Sequence, residues 1–349
     1  MKTINEPVSQ ETVTITVDFS PVWEIIVGIA GYTYQTLRHT FEFDEKWKEN
    51  QSSMSTKLLN NLSEIEKTNL WYGLLLMQNK LSARSIQEFI HALHSLAPED
   101  FYETLLPYKN RSHEEFRKEA AKNVDRIIQY SSLFEEHDYL EGYIVTLSEK
   151  KQHEIVQLFS EIMTEWYEWI YTIVDWEKWM KVLSLEKSKH HTIDSTNPIE
   201  EVKRVTEGAK YTMEPSIWNI KLIPHVSYRP WILEQRTSDT KLFYYPINDE
   251  AFQEPGIPPK GLIRGHKALG DELRLKLLFQ IIKGPLSLQD LSAKFNVSKT
   301  ALHHQLSLLK AAKFISVHKG IYSANPTQIQ SFTSLLGQYL GTNYENVKE

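Results

Sequence analysis

Seven prolines and glycines fall within twenty residues of this chain, at Pro246, Pro255, Gly256, Pro258, Pro259, Gly261 and Gly265. Proline lacks the amide that a helix or ladder needs, and glycine loses the most freedom on ordering, so such a run should hold neither a regular helix nor a central strand. It divides the 349 residues into a long segment, 1–247, a linker, 248–265, and a short segment, 266–341. The long part has room for a core of its own, and the short part is of a size that small domains reach.

The charge is divided along the same line. Between Lys260 and Pro326 eleven Lys and Arg face three acids, Asp271, Glu272 and Asp290, a net +8; the whole chain is −6, which leaves −14 elsewhere. A basic module on an acidic body points to a polyanion-binding end and a body with another task. There is no cysteine, which excludes disulfides, thiolate metal sites and cysteine nucleophiles. The longest strongly apolar runs, such as Trp71–Met77, fall short of the roughly 20 residues that span a bilayer. The start, Met1 to Pro7, lacks the apolar core of a secretory signal. A cytoplasmic protein with no membrane association is expected.

The long segment reads as mainly helical. Thr12–Val17 alternates with β-branched residues throughout and predicts a strand. Ser20-Pro21 then opens a helix, the hydroxyl as cap and the proline at the first helical position. Helical patterns follow over 20–38, 55–79, 83–96, 98–106, 112–130, 137–147, 149–187 and 198–207. In 149–187 Ile155, Leu158, Phe159, Ile162, Trp166, Trp169, Ile170, Ile173, Trp176 and Met180 form one stripe. Such a stripe reads as a core or dimer-packing face rather than an aromatic ligand pocket. Ile217–Ile223, Trp231–Gln235 and Lys241–Tyr245 are short β-like runs, expected to form a small antiparallel sheet joined by the 12–17 strand. The expected class is mainly α (α+β).

The short segment has a different plan. A helix over about 266–283 stops at Gly284-Pro285; Ser287 and Asp290 form a capping box for the next; Asn296-Val297 turns; Ser298 caps a third helix to about Ala312. That is a helix-turn-helix. Ile315–His318, Lys319-Gly320 and Ile321–Ala324 then read as a hairpin, making it a winged helix. At 100° per residue, Ala301, Leu302, Leu306, Leu308, Leu309 and Ala312 occupy roughly 180° to 340° of the third helix. Lys299, Thr300, His303, His304, Ser307 and Lys310 occupy the opposite arc. These side chains can donate to guanine acceptors and to phosphates in a major groove. With Ser298 and the wing residues His318 and Lys319 they form the expected DNA-binding set.

The string Lys267-Ala268-Leu269-Gly270-Asp271-Glu272-Leu273-Arg274-Leu275 resembles the entry motif of the ArsR-type (arsenical-resistance repressor) winged-helix family. Ser298-Lys299-Thr300-Ala301-Leu302-His303-His304-Gln305-Leu306, followed by Leu309-Lys310, resembles that family's recognition helix. The likeness covers about 265–341. It implies a homodimer on a double-stranded DNA operator, with the helix after the wing, 327–340, helping to form the dimer. The long body resembles the N-terminal extension of a subset of such regulators, in part through Phe19-Ser20-Pro21. The family's metal sites do not carry over: the thiolate site would lie around Leu291–Phe295, where there is no cysteine. Its histidine/carboxylate site would lie on the last helix, and Thr327–Leu340 contains no His, Asp or Glu.

No nucleophile elbow, phosphate loop, Rossmann glycine pattern or zincin motif is present. His190-His191 with Asp194 reads as a solvated loop, Glu161, Glu165 and Glu168 as a solvated face, and His91 with His94 as a pair short of further ligands. The expected protein is therefore a sequence-specific, non-enzymatic transcription regulator with no metal and no cofactor. Its N-terminal domain would bind a small organic effector or a protein partner. The competing reading places an enzyme or effector-processing activity in 11–247.

Overall fold

The alternation read at the start of the chain builds an edge strand, β1 (Thr14–Val17), with Val13, Ile15 and Val17 buried and the threonines between them exposed. The computed structural model describes residues 13–190, 192–248 and 258–340. The described residues form two compact units: one holds 13–38 and Phe43–Ile247, the other His39–Glu42, Asn248 and 258–340.

In the first unit the helices run α1 (Pro21–Thr33), α2 (Gln35–Arg38), α3 (Asp44–Asn50), α4 (Thr56–Thr68), α5 (Trp71–Leu81), α6 (Ile86–His94) and α7 (Pro98–Leu105). They continue with α8 (Glu114–Ala120), α9 (Val124–Ser131), α10 (Leu140–Glu149), α11 (Gln152–Ile173), α12 (Trp176–Lys189) and α13 (Pro198–Val205). Ser20 caps α1 as expected, accepting from the Trp23 amide. Four of the helical patterns are broken in two, the first of them, 20–38, at Tyr34 between α1 and α2. Asn69 turns left-handed (φ 54°) between α4 and α5, and Asn123 and Asp175 cap α9 and α12 with their side chains. These three breaks each fall at a short polar residue whose side chain competes for backbone groups, a signal that periodicity alone overlooks. The α3 helix, short and charged, had no periodic pattern to reveal it.

The sheet of this unit is mixed, not antiparallel. Its order is β1-β2-β4-β3, with β2 (Asn219–His225), β3 (Leu233–Arg236) and β4 (Thr240–Pro246). β1, β2 and β4 run parallel and only β3 is antiparallel. Connection length is the reason: nearly all the helices lie between β1 and β2, and the 226–239 stretch carries the chain out to β3 before it folds back as β4 between β2 and β3. A parallel pair needs such crossovers. The β1 strand joins β2 as expected, with Val17 opposite Leu222.

The turn after β2 is held by a buried carboxylate. Glu24 of α1, 1 % exposed, accepts from the amides of Val226 and Ser227 and from the Ser227 hydroxyl. Burial outweighs these donors and pushes the carboxyl up to about 7. His225, fully buried, donates from Nε2 to the Trp231 carbonyl (3.0 Å), and burial lowers its pKa to about 3.

In the second unit the helices are α14 (Lys260–Leu269), α15 (Glu272–Lys283), α16 (Leu288–Phe295), α17 (Lys299–Ala311) and α18 (Pro326–Leu340). The strands are β5 (Leu286–Ser287), β6 (Ile315–His318) and β7 (Ile321–Ala324). Two expectations are corrected here. The end of the linker is helical, and the single helix over 266–283 is two, parted at Gly270-Asp271 where Asp271 caps α15. Gly265 lies inside α14 because Phe332 of α18 packs on it; a Cβ there would stand 2.1 Å from the ring. That packing offsets the roughly 1 kcal/mol that a helical glycine costs. The linker residues 249–257 lie outside the described residues.

Candidate nucleic-acid interface

The core that carries the helix-turn-helix is small and continuous. Leu277, Leu278 and Ile281 of α15, Leu291 of α16, Leu302, Leu306 and Leu309 of α17, and Phe314, Ile315 and Tyr322 of the wing are buried together. Ser287 and Asp290 make the expected capping box at α16, with the Ser287 amide on Asp290 Oδ2 (3.0 Å) and the Asp290 amide on Ser287 Oγ (3.1 Å). The Ser287 hydroxyl, donating to Asp290 Oδ2 (2.6 Å), and then the Ser287 amide hold the Asp290 carboxyl below its ordinary range. Asn296 ends α16 in the left-handed region (φ 52°), and Ser292 donates to the Val297 carbonyl (2.8 Å). The turn is thereby tied down on both sides before Ser298 caps α17 through the Ala301 amide (3.3 Å).

On α17 the expected residues separate by position. Ser298, Lys299, Thr300, His303 and His304, around the first turns, are exposed; Lys310 is half-buried; Ser307 is buried. The helix packs against α14, α15 and α16 at once, so its covered arc is wider on one flank than a single apolar stripe implies. Ser307 turns inward and donates to the His304 carbonyl (2.7 Å). Ala301, expected in the core, is exposed. Within the same unit His39 stacks on His304, with ring centroids 4.2 Å apart. The polar surface that remains lies at the N-terminal end of α17, where backbone amides and the helix dipole favour anions and where recognition helices approach base edges.

The wing forms as read from the sequence. β6 and β7 pair antiparallel with His318 opposite Ile321, and the tip residues Lys319 (φ 47°) and Gly320 (φ 76°) are both left-handed. Tight hairpins require that geometry. His318 and Lys319 stand exposed at its end. β5 adds a third strand through Leu286 and Tyr322, a pairing of two residues too short to show in a pattern.

Arg274 has a role that charge counting did not suggest. Its Nε donates to the Ala268 carbonyl (2.7 Å), Nη2 to the Lys267 carbonyl (2.9 Å) and Nη1 to Gln305 Oε1 (2.7 Å). One guanidinium thus caps the end of α14 and fixes α17 against it. The planar guanidinium presents its donors on three separate nitrogens in a fixed fork, whereas a lysine has a single ammonium nitrogen on a flexible stem.

The candidate groups of the first unit are absorbed by its packing. Trp166, Trp169, Trp176 and Trp179 are each 5 % exposed or less, with Trp166 among Tyr32, Trp47 and Trp169. Glu161 and Glu165 are not a free solvated face: Lys57 lies 3.5 and 3.7 Å from them, Asn61 donates to Glu161 and Ser55 to Glu165. Glu168 alone of the three is exposed. His190 contacts Glu186 (3.0 Å), Asp194 accepts from Thr196, and His191 lies outside the described residues. His94 meets Ser160 (3.4 Å) on α11. Among the described residues no three His, Asp or Glu side chains are grouped to hold a metal ion. No helix there is long and apolar enough to cross a membrane.

Comparison with known proteins agrees with this geometry. Residues 271–317 match the family described as bacterial regulatory protein, arsR family. Over 68 residues, 18 % of this chain and 76 % of the relative, the sequence is 40 % identical to the transcriptional repressor SdpR of Bacillus subtilis (strain 168). No solved structure matches the chain.

Proposed function

The chain belongs to the ArsR family of bacterial regulatory proteins and is a DNA-binding transcriptional regulator, and from this we propose how it works. It reads operator DNA as a homodimer, with Ser298, Lys299, Thr300, His303 and His304 entering the major groove and His318 and Lys319 of the wing on the flanking backbone. The observation that carries this is the exposed polar N-terminal half of α17, fixed from behind by Leu302, Leu306, Leu309 and Arg274. Lys310 contributes charge from the edge, and Ser307 supports the helix from within. The +8 module supplies the salt-dependent phosphate affinity. Similarity to a repressor supports repression as the sign. Residues 1–247 sense a non-metal small molecule or a partner and shift operator affinity by the coupling typical of allosteric pairs, about 1–3 kcal/mol.

The test is operator binding by the full chain and by the K299A/H304A double variant. Each lost contact should cost about 1–3 kcal/mol and the salt dependence should fall with the lost phosphate contact. Two chains should bind each palindromic site. Unchanged affinity in a folded double variant, or one chain per site, would overturn the assignment.

A further inference from the structure

A cleft of about 600 Å³ opens in the first unit, between the β3–β4 hairpin tip at Thr237–Thr240, the start of β2, and α5 and α7. That is the size of small-molecule pockets, yet its walls are charged where such pockets are mostly apolar. Two of its cations are already committed. Arg117 pairs with Glu103 (3.1 Å) and Glu114 (2.7 Å), and Arg236 pairs with Glu214 and donates to the Pro215 carbonyl (3.0 Å). Lys221 is different. It projects from β2, is half-buried, and donates from Nζ to Asn79 Oδ1 (2.8 Å), while no carboxylate among the described residues lies within 4 Å of it. An ammonium has three donors, so two are left over. Burial lowers the pKa of this amine, with Asp18 and Asp239 opposing from farther away. Exposed Lys80 lines the same cleft, and so do Asp239 and Asp100. The Asp100 carboxylate has no hydrogen bond or ion pair among the described residues.

We propose that this cleft binds a small zwitterion of the amino-acid class, its carboxylate on Lys221 and Lys80 and its ammonium toward Asp100 and Asp239. A multiply charged anion would meet the acids that line the same walls. A purely apolar molecule would strand the Lys221 ammonium, which is costly when no partner replaces water. The aromatic stripe of α11 and α12 lines no part of the cleft, so an effector here is polar. This proposal rests on the reading of the first unit as the sensor and supplies the class of its ligand.

The experiment is calorimetric titration of the full chain with each of the common L-amino acids singly, with acetate, methylammonium and inorganic phosphate as comparison probes. At least one amino acid should bind, one per chain, more tightly than any comparison probe. K221M should weaken it about ten-fold or more, K221R should restore most of the affinity, and D100N, at an exposed position, should weaken it in a fold that is not at risk. Binding by none of the amino acids, tighter binding of phosphate, or an affinity indifferent to both K221M and D100N would overturn the proposal. Operator affinity is then measured with the bound amino acid present. Binding without any change in operator affinity leaves the site standing and removes the sensor reading, whereas a site that fails leaves that reading to be judged on its own.

Discussion

Helices α11 and α17 are both amphipathic, and the fates of their polar faces differ. On α11 the tryptophan stripe is buried and two of the three opposing glutamates are matched by Lys57, Asn61 and Ser55 from α4. On α17 the leucines are equally buried, but Lys299, Thr300 and His303 make no side-chain hydrogen bond or ion pair among the described residues. A polar face satisfied within the chain serves as scaffold; one left over in an exposed, basic, rigidly held helix is built for an external partner. The cause is compositional. The first unit supplies both signs of charge, whereas the module offers three acids against eleven bases, and one of those acids is spent on capping α15 and another on capping α16.

The largest effect is expected at Trp166. W166A should cost the first unit about 3–5 kcal/mol, as truncation of a fully buried tryptophan does, read as a fall in the urea midpoint. A loss below about 1 kcal/mol would show that α11 is not scaffold.

The buried polar matching of the first unit has its own signature in pH. Glu24, raised to about 7 from an ordinary 4.5, binds its proton more tightly when folded, so its contribution is lost as pH rises through about 7. His225, depressed to about 3 from 6.5, contributes above 6.5 and loses that contribution as pH falls. Between pH 4.5 and 6.5 the two slopes oppose. E24Q removes one of them, so the stability of this variant relative to the parent should rise by about 3 kcal/mol across that window. H225Q should tilt the opposite way. Parallel pH curves for parent and variants would refute the linkage.

At Arg274 the two helices can be told apart by salt. R274M should lower stability and operator affinity by about 1–3 kcal/mol through loss of its hydrogen bonds, yet leave the slope of affinity against salt unchanged. K299A should reduce that slope by about 0.9. A fall in slope for R274M as large as that for K299A would put Arg274 on the DNA. The smallest effect belongs to Lys57, half-exposed beside Glu161 and Glu165. K57A should cost no more than about 1 kcal/mol in thermal denaturation, and a larger loss would make the matched face of α11 a principal source of stability.

What could be read before folding was local. Caps at Ser20, Ser287 and Ser298, the turn at Asn296 and the wing tip at Lys319-Gly320 each depend on residues within four positions of one another, and each forms. The exposed set at the start of α17 was legible for the same reason. Ser307 was not: it is buried on the polar arc of α17, where its hydroxyl meets His39 (3.5 Å), 268 residues away. Nor was Gly265, which read as a linker residue until Phe332, 67 positions later, packed on it.

By itself, then, the sequence determined the helix-turn-helix with its wing, the charge division and the helical character of the body, all set by periodicity, capping and composition over short spans. Tertiary structure alone decided the parallel order of β1, β2 and β4, the three-way grip of Arg274 and the meeting of Lys221 with Asn79, 142 residues apart. Those outcomes turn on which distant surfaces pack together, and strand direction or an ammonium's partner leaves no trace in local spacing.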